Sequence, residues 1–270
     1  MIHDRFARGH LPRYNGVHMK RLLWSVLLLQ ALAQQPPKSG INLFSLQQDI
    51  AIGAESAREA DRLPLIREPA LSGYFNRIGV GLSGASPLQS LHYSFHIVNQ
   101  PEANAETFPG GQIYIDRGLV ELTANEHELA ALIAHEIAHA AARHGTRQLS
   151  GQLLVQAPAS FLGGLNTQDG LKEQLAKLGI KLGAKSMFLR YSREQEIEAN
   201  KIAVDILVKS QYSPYALAAI LRKINKPTES VKAALPGYAF NHPQVEAAAT
   251  QLDAEIAKRR VPQRDLKARE

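Results

Sequence analysis

The sequence predicts an α+β fold, predominantly helical, with a small mixed sheet packed on a central helix. Three observations carry that reading. Most apolar positions recur at the 3.6-residue spacing of helices. Two short stretches alternate in the manner of strands. One helical stretch carries histidines and a glutamate on an otherwise apolar body.

A chain of 270 residues, 45% hydrophobic and 21% charged, is long enough to bury a sizeable core and has the composition of an ordinary globular domain. The net charge of +6 does not point to nucleic acid. Residues 1–33 hold Arg5, Arg8, Arg13, Lys20 and Arg21 against Asp4, which is +4 of the total. The rest of the basic character gathers at Lys258, Arg259, Arg260, Arg264, Lys267 and Arg269, read as a solvated C-terminal tail over 258–270, with contact to an anionic surface as the alternative. With no cysteine, disulfides, thiolate metal sites and a cysteine nucleophile are excluded.

The N-terminal segment reads as an export signal. Met19-Lys20-Arg21 precedes an apolar run from Leu22 to Leu29 and a small-x-small site at Ala31-Leu32-Ala33. The apolar run is well short of the roughly 20 residues that cross a bilayer. Cleavage is expected after Ala33, sending the protein to a bacterial periplasm. Residues 1–18 are either a long leading region or an upstream start chosen in error, and 34–40 form a proline-containing linker.

From residue 41 to 257 the chain reads as one domain. A helix is expected over Asn42–Arg62, stopped by Pro64, and a second over about Ala70–Leu82. Strands are expected at roughly 91–99 and 111–115, with Pro101–Gly111 between them a turn by composition. Asp116 is placed to cap a short helix through Leu122, and Asn125 a long one from Glu126 to about Arg143, ended by Gly145. The stretch from Ser150 to Leu165 has no clear pattern. Further helices are expected over Leu171–Ala184, Arg190–Ser210, Pro214–Lys226 and Gln244–Arg260.

The long helix contains His135-Glu136-Ile137-Ala138-His139. Residues four apart lie about 40° from each other around a helix, so His135 and His139 face the same way, with Glu136 within about 100° of both. Two neutral imidazoles suit zinc, and the adjacent carboxylate can take a proton from water activated there. This pentapeptide arises by chance in roughly 2% of chains of such length. Its apolar setting sharpens the signal, since unpaired buried polar groups cost several kcal/mol.

A third ligand must come from elsewhere. Six residues beyond His139 stands Gly145, and position 142 is Ala142, so the third-histidine pattern of metzincins is excluded. His144 lies about 140° around the same continuous helix and reads as a helix-end cap. The next source is the helix containing Glu194, Glu196 and Glu198. Glu194 and Glu198 share wet faces with Lys201 and Asp205. Glu196 shares its face with Ala199, Asn200, Ala203 and Leu207, and periodicity selects it as the ligand.

The chain resembles the HtpX- and BepA-like family of gluzincin zinc metallopeptidases, relatives of the CAAX prenyl protease and of Oma-type proteases. The likeness rests on the helix around Asp49 to Gly53, on Asn104-Ala105 with Pro109-Gly110-Gly111, on the His-Glu-x-x-His segment followed by Arg143-His144, on Tyr191-Ser192-Arg193 with Glu196-x-Glu198-Ala199, and on His242-Pro243. It spans most of residues 41–245. It implies a zincin-like fold, and an edge strand near Asn104 and Ala105 that binds substrate backbone by strand addition. It also implies that His242 lies near the zinc, as a removable fourth ligand or as a donor to the transition state. Three departures stand out. Asn200 occupies the place of an aspartate that supports the ligands, Ala247 to Ala249 replace a stretch where an arginine is common, and Glu106-Thr107 replace more apolar residues. No repeat domain follows, unlike in the BepA-type members, so partner binding through such repeats is not expected.

The expected protein is therefore an exported zinc endopeptidase. One Zn²⁺ per chain is held by His135, His139 and Glu196, Glu136 serves as general base and then acid, and His242 gives electrostatic help, with Tyr191 and Arg193 as weaker contributors. Its expected partners are misfolded or unassembled envelope polypeptides, with no nucleic acid and peripheral membrane association left open. Two rival readings are a non-catalytic zinc-binding chaperone, motivated by Asn200, and a structural factor tethered by an uncleaved N-terminus.

Overall fold

The computed structural model describes residues 40–156, 175–176, 190–225, 242 and 245–259. The expected signal segment, most of the linker, most of the helix expected over 171–184 and the tail beyond 259 lie outside the described residues.

Helix α1 spans Leu46–Ala60 and starts later than expected. Ser45 accepts from the Gln48 N–H while the Gln48 side chain accepts from the Ser45 N–H, a reciprocal cap that fixes the start. Helix α2 spans Pro69–Ser83; the Glu68 carboxylate accepts from the N–H groups of Ala70 and Leu71, and Pro69 takes the first helical position.

Strands β1 (Ser94–Val98) and β3 (Gln112–Asp116) pair in parallel, and β2 (Ala105–Phe108) joins β3 antiparallel, giving the order β1-β3-β2. The turn read from composition over Pro101–Gly111 is thus partly wrong, because four of its residues form the edge strand β2. Glu106 pairs with Tyr114 and Thr107 with Ile113 across the ladder, so the partner strand overrides their weak strand signal. After β2, a 3-10 turn at Pro109–Gly111 lies directly on α1. A Cβ at Gly53 would stand 1.7 Å from the Pro109 carbonyl oxygen, and Gly110 has φ of 79°. Glycine at both places is therefore a packing requirement.

Helix α3 covers Arg117–Val120. Asp116 does not cap it as expected, since its side chain makes no cap hydrogen bond. Its carboxyl is buried instead, and burial, with the charges of Glu106 and Glu102, pushes it up to about 7. Burial alone pushes Glu106 up to about 7 as well.

Helix α4 (Glu126–Ala141) is capped by Asn125, as expected, and every residue from His127 to Ala140 is buried. It packs against α2, β2, α6 (Arg193–Lys209) and α7 (Tyr215–Asn225), while α8 (Val245–Lys258) lies over α6 and α7. Gly145 does not end α4. Arg143 does, with a left-handed φ of 57°, and Gly145 lies inside helix α5 (His144–Gln156). The strained turn is held by Arg143 forking onto the Asp49 carboxylate at 2.5 and 3.0 Å and onto the Phe44 carbonyl at 2.6 Å. No helix among the described residues is long and apolar enough to cross a membrane.

The raised carboxyls of Glu106 and Asp116 fix the sign of one pH effect. A carboxyl whose folded value lies above its unfolded value favours the fold at low pH and loses that contribution as pH rises toward the folded value. Between pH 5 and pH 8, Glu106→Gln should therefore gain thermal stability relative to wild type, as followed by circular dichroism melting at both pH values.

Candidate metal centre

Helix α4 supplies His135, Glu136 and His139, α6 supplies Glu196, and His242 enters from the segment before α8. All five side chains are buried. The ligand atoms of His135, His139, Glu196 and His242 lie within 4.8 Å of one another. The Nε2 atoms of His135 and His139 are 3.0 Å apart, and His135 Nε2 is 3.4 Å from His242 Nδ1. The Glu196 carboxylate reaches the two Nε2 atoms at 3.6 Å each and His242 Nδ1 at 3.0 Å.

These distances test the fit of a metal. Ligands about 2.0–2.1 Å from a tetrahedral ion stand about 3.3–3.4 Å from each other. The observed edges of 3.0–3.6 Å bracket that value. Burial and the neighbouring imidazoles hold His139 well below the usual histidine range, which keeps its ring neutral as coordination requires. Burial would raise Glu196, but His242 and His135 outweigh it and bring the carboxyl to about 2. His242 is shifted up, since Glu196 and Glu136 overcome the opposing effect of burial.

Glu136 stands beside this cluster. Its Oε2 accepts from the Thr107 hydroxyl at 2.7 Å, while its Oε1 has no hydrogen-bond partner among the described residues and lies 3.8 Å from His242 Nε2. One carboxylate oxygen is anchored by the edge strand and the other is left for a proton. Thr107 is a residue the sequence reading noted only as a departure; its hydroxyl on a strand paired for other reasons gave no signal of this contact.

Asn104 precedes β2 and its carbonyl accepts from the Asp116 N–H at 2.9 Å; Ala105 opens the strand with its side chain buried. Asn200 is buried one turn beyond Glu196, as its face predicts. Its Oδ1 and His135 Nδ1 each lack a hydrogen-bond partner among the described residues. The Tyr191 ring stacks on His139, with centroids 3.9 Å apart. Burial first, then the charges of Glu136 and Glu196, raise its hydroxyl well above the usual range. Arg193, a weaker expected contributor, is exposed at the start of α6 and is not brought to the cluster.

Two further expectations are corrected. His144 is no helix-end cap: because Arg143 breaks the helix, the 140° offset no longer applies, and His144 Nδ1 comes to 2.9 Å from His139 Nδ1. Glu198 is not simply on a wet face, since its carboxylate contacts His144 Nε2 at 3.2 Å and Arg147 Nη1 at 3.1 Å. The hydrogen bond from His144 and the positive charge of Arg147 overcome burial and hold Glu198 at about 2.

Comparison with known proteins agrees with this geometry. The chain is 31% identical over 187 residues to the beta-barrel assembly-enhancing protease of Yersinia pestis, covering 67% of this chain and 38% of that protein. Against the protein of the same name from Escherichia coli K12 the identity is 29% over 190 residues, with the same coverage. The mitochondrial metalloendopeptidase OMA1 of Schizosaccharomyces pombe is 26% identical over 170 residues, covering 63% of this chain and 48% of the relative. The chain thus spans less than half the length of these relatives. The profile of peptidase family M48 matches residues 69–256, more than half of the sequence, and the chain belongs to that family.

Proposed function

We propose that the protein is a zinc-dependent endopeptidase. The observation that carries this reading is the set of four buried side chains whose ligand atoms lie within 4.8 Å of one another, with a fifth, Glu136, beside them and one of its oxygens without a hydrogen-bond partner among the described residues. Two histidines and a glutamate are the donor set of catalytic zinc in peptidases, and when bound the ion polarises a peptide carbonyl and makes water a better nucleophile near neutral pH.

The remaining chemistry belongs to the chain. Glu136 takes a proton from the attacking water on Oε1 and returns it to the leaving amine, while Thr107 holds Oε2 in place. His242 Nδ1, 3.4 Å from His135 Nε2 and 3.0 Å from Glu196, would serve as a fourth donor that substrate can replace. Its Nε2 faces Glu136 Oε1 at 3.8 Å, on the side where it can donate to charge developing on the substrate. Strand β2 is the sheet edge and carries Thr107 against the general base. A substrate strand added along Asn104 and Ala105 would lie beside Glu136, which favours extended, unfolded polypeptides over folded ones.

Two relatives are named for enhancing beta-barrel assembly, and the N-terminal segment reads as an export signal. We therefore assign the substrates to misfolded or unassembled envelope proteins and the location to the periplasm. Protein expressed in a bacterial host should be recovered in the periplasmic fraction and begin at Gln34; recovery only from the cytoplasm with an intact N-terminus removes the export assignment.

Cleavage of an unfolded substrate such as casein should disappear on chelation and return with stoichiometric zinc. Glu136→Gln should keep the metal, measured by elemental analysis, and lose about 10²–10⁴-fold in kcat/KM. A Glu136→Gln protein as active as wild type removes Glu136 as the general base, and wild type that binds zinc but cleaves nothing leaves the chaperone reading in its place. Thr107→Ala should lower kcat about tenfold, equivalent to one charge-assisted hydrogen bond of about 1.5 kcal/mol, with KM and zinc content unchanged. Thr107→Ser should recover most of the loss in the same steady-state assay.

A further inference from the structure

The contacts behind His139 form a chain whose proton positions are fixed from one end. We propose that His144 and Glu198 are positioning residues that lock His139 in the one tautomer able to bind a metal, and thereby set the metal affinity of the site. This inference rests on the metal-centre reading above and deepens it.

Glu198 is the fixed end. An ionised carboxylate can only accept, and Arg147 donates to it through Nη1 at 3.1 and 3.3 Å. The hydrogen between Glu198 and His144 Nε2, 3.2 Å apart, therefore sits on the imidazole. One hydrogen fits across the 2.9 Å between His144 Nδ1 and His139 Nδ1, and His144 already has its hydrogen engaged at Nε2. Its Nδ1 is then an acceptor, and His139 Nδ1, 2.9 Å away, must donate to it. That leaves the lone pair of His139 on Nε2, the atom aimed at His135 Nε2 and Glu196. Each step follows from the one before, and together they dictate the tautomer that coordination demands.

The backbone is built to hold this chain. Arg143 in its left-handed turn lets α5 start at His144 and fold back toward His139. Helix α6 grips that start twice, through Glu198 on the His144 ring and through Gln195 Nε2 donating to the His144 carbonyl at 3.3 Å. One helix thus places a carboxylate in front of the His139 ring, Glu196, and another behind it, Glu198, two positions apart. Tyr191 stacks against the face of the same ring and limits its tilt. His135 is treated differently, with no hydrogen-bond partner at Nδ1 among the described residues. Among the described residues, His139 is thus held at Nδ1 and His135 is not.

The test is zinc affinity of the full chain, measured by competition with a chromophoric chelator, alongside the melting temperature of the metal-free protein. His144→Ala should lose about 10–100-fold in zinc affinity, the usual range for residues that orient a ligand. Glu198→Ala, a change at a partly exposed side chain, should lose affinity in the same direction with the metal-free melting temperature unchanged. His144→Asn retains an acceptor near the Nδ1 position and should recover most of what His144→Ala loses. Affinities equal to wild type in both alanine variants would overturn the proposal. So would a loss matched by melting of the metal-free protein in Glu198→Ala, or an asparagine variant no better than alanine. Wild type that binds no zinc overturns this inference and the metal reading together. Wild type that binds zinc, with the variants weakened as expected, but cleaves nothing removes only the peptidase reading.

Discussion

Five ionisable side chains packed into the interior are the constraint around which this fold is arranged. His135, Glu136, His139, Glu196 and His242 are all nearly inaccessible to water. Isolated charges in such a place would cost many kcal/mol, and even unpaired polar atoms cost several. The cluster is tolerable because His135, His139, Glu196 and His242 face one another at 3.0–3.6 Å, with the negative charge of Glu196 set against three imidazoles, and Glu136 accepts from Thr107. Bringing them so close requires close helices. Ala130, Ala131, Ala134 and Ala138 on α4, with Ala199 and Ala203 on α6, form much of the core between the two helices. Small residues permit the approach, and with bulkier ones the Glu196 carboxylate would fall short of both Nε2 atoms.

The same constraint explains what could be read in the sequence. His135 and His139 are bound by helical periodicity to share a face, and Glu196 is the glutamate of its helix followed at three and four residues by uncharged side chains, Ala199 and Asn200. Local pattern alone settles these, and the structure brings them together. Asn125 is likewise a local signal, because a cap involves residues only three apart, whereas apolar spacing starts the helices capped by Ser45 and Ser192 too early, at Asn42 and Arg190.

What could not be read depends on contacts distant in sequence. Arg143 adopts a left-handed turn because Asp49, 94 residues away, and the Phe44 carbonyl grip its guanidinium. A sequence read by periodicity continues the helix to Gly145, and the orientation of His144 is then wrong by construction. Strand β2 was implied by family resemblance but hidden from composition. Pro101, Pro109 and the paired glycines look like a turn, and the strand between them exists because β3 offers it a ladder. Asp116 illustrates the opposite error. It has the residue type of a cap, but strand pairing takes it inside, where burial pushes its carboxyl up to about 7.

These long-range contacts converge on the place where the local motif is weakest. A pair of histidines on a helix can bind a metal only if each ring presents the correct nitrogen, and a helix alone does not determine which nitrogen carries the proton. Here the determination comes from the left-handed turn at Arg143, which exists through its hold on α1, and from the outward-looking Glu198 on α6. The motif in α4 therefore becomes a binding site only when α1, α5 and α6 are all in place. With the tautomer set as proposed, metal binding and the arrangement of the junction between α4 and α5 are coupled.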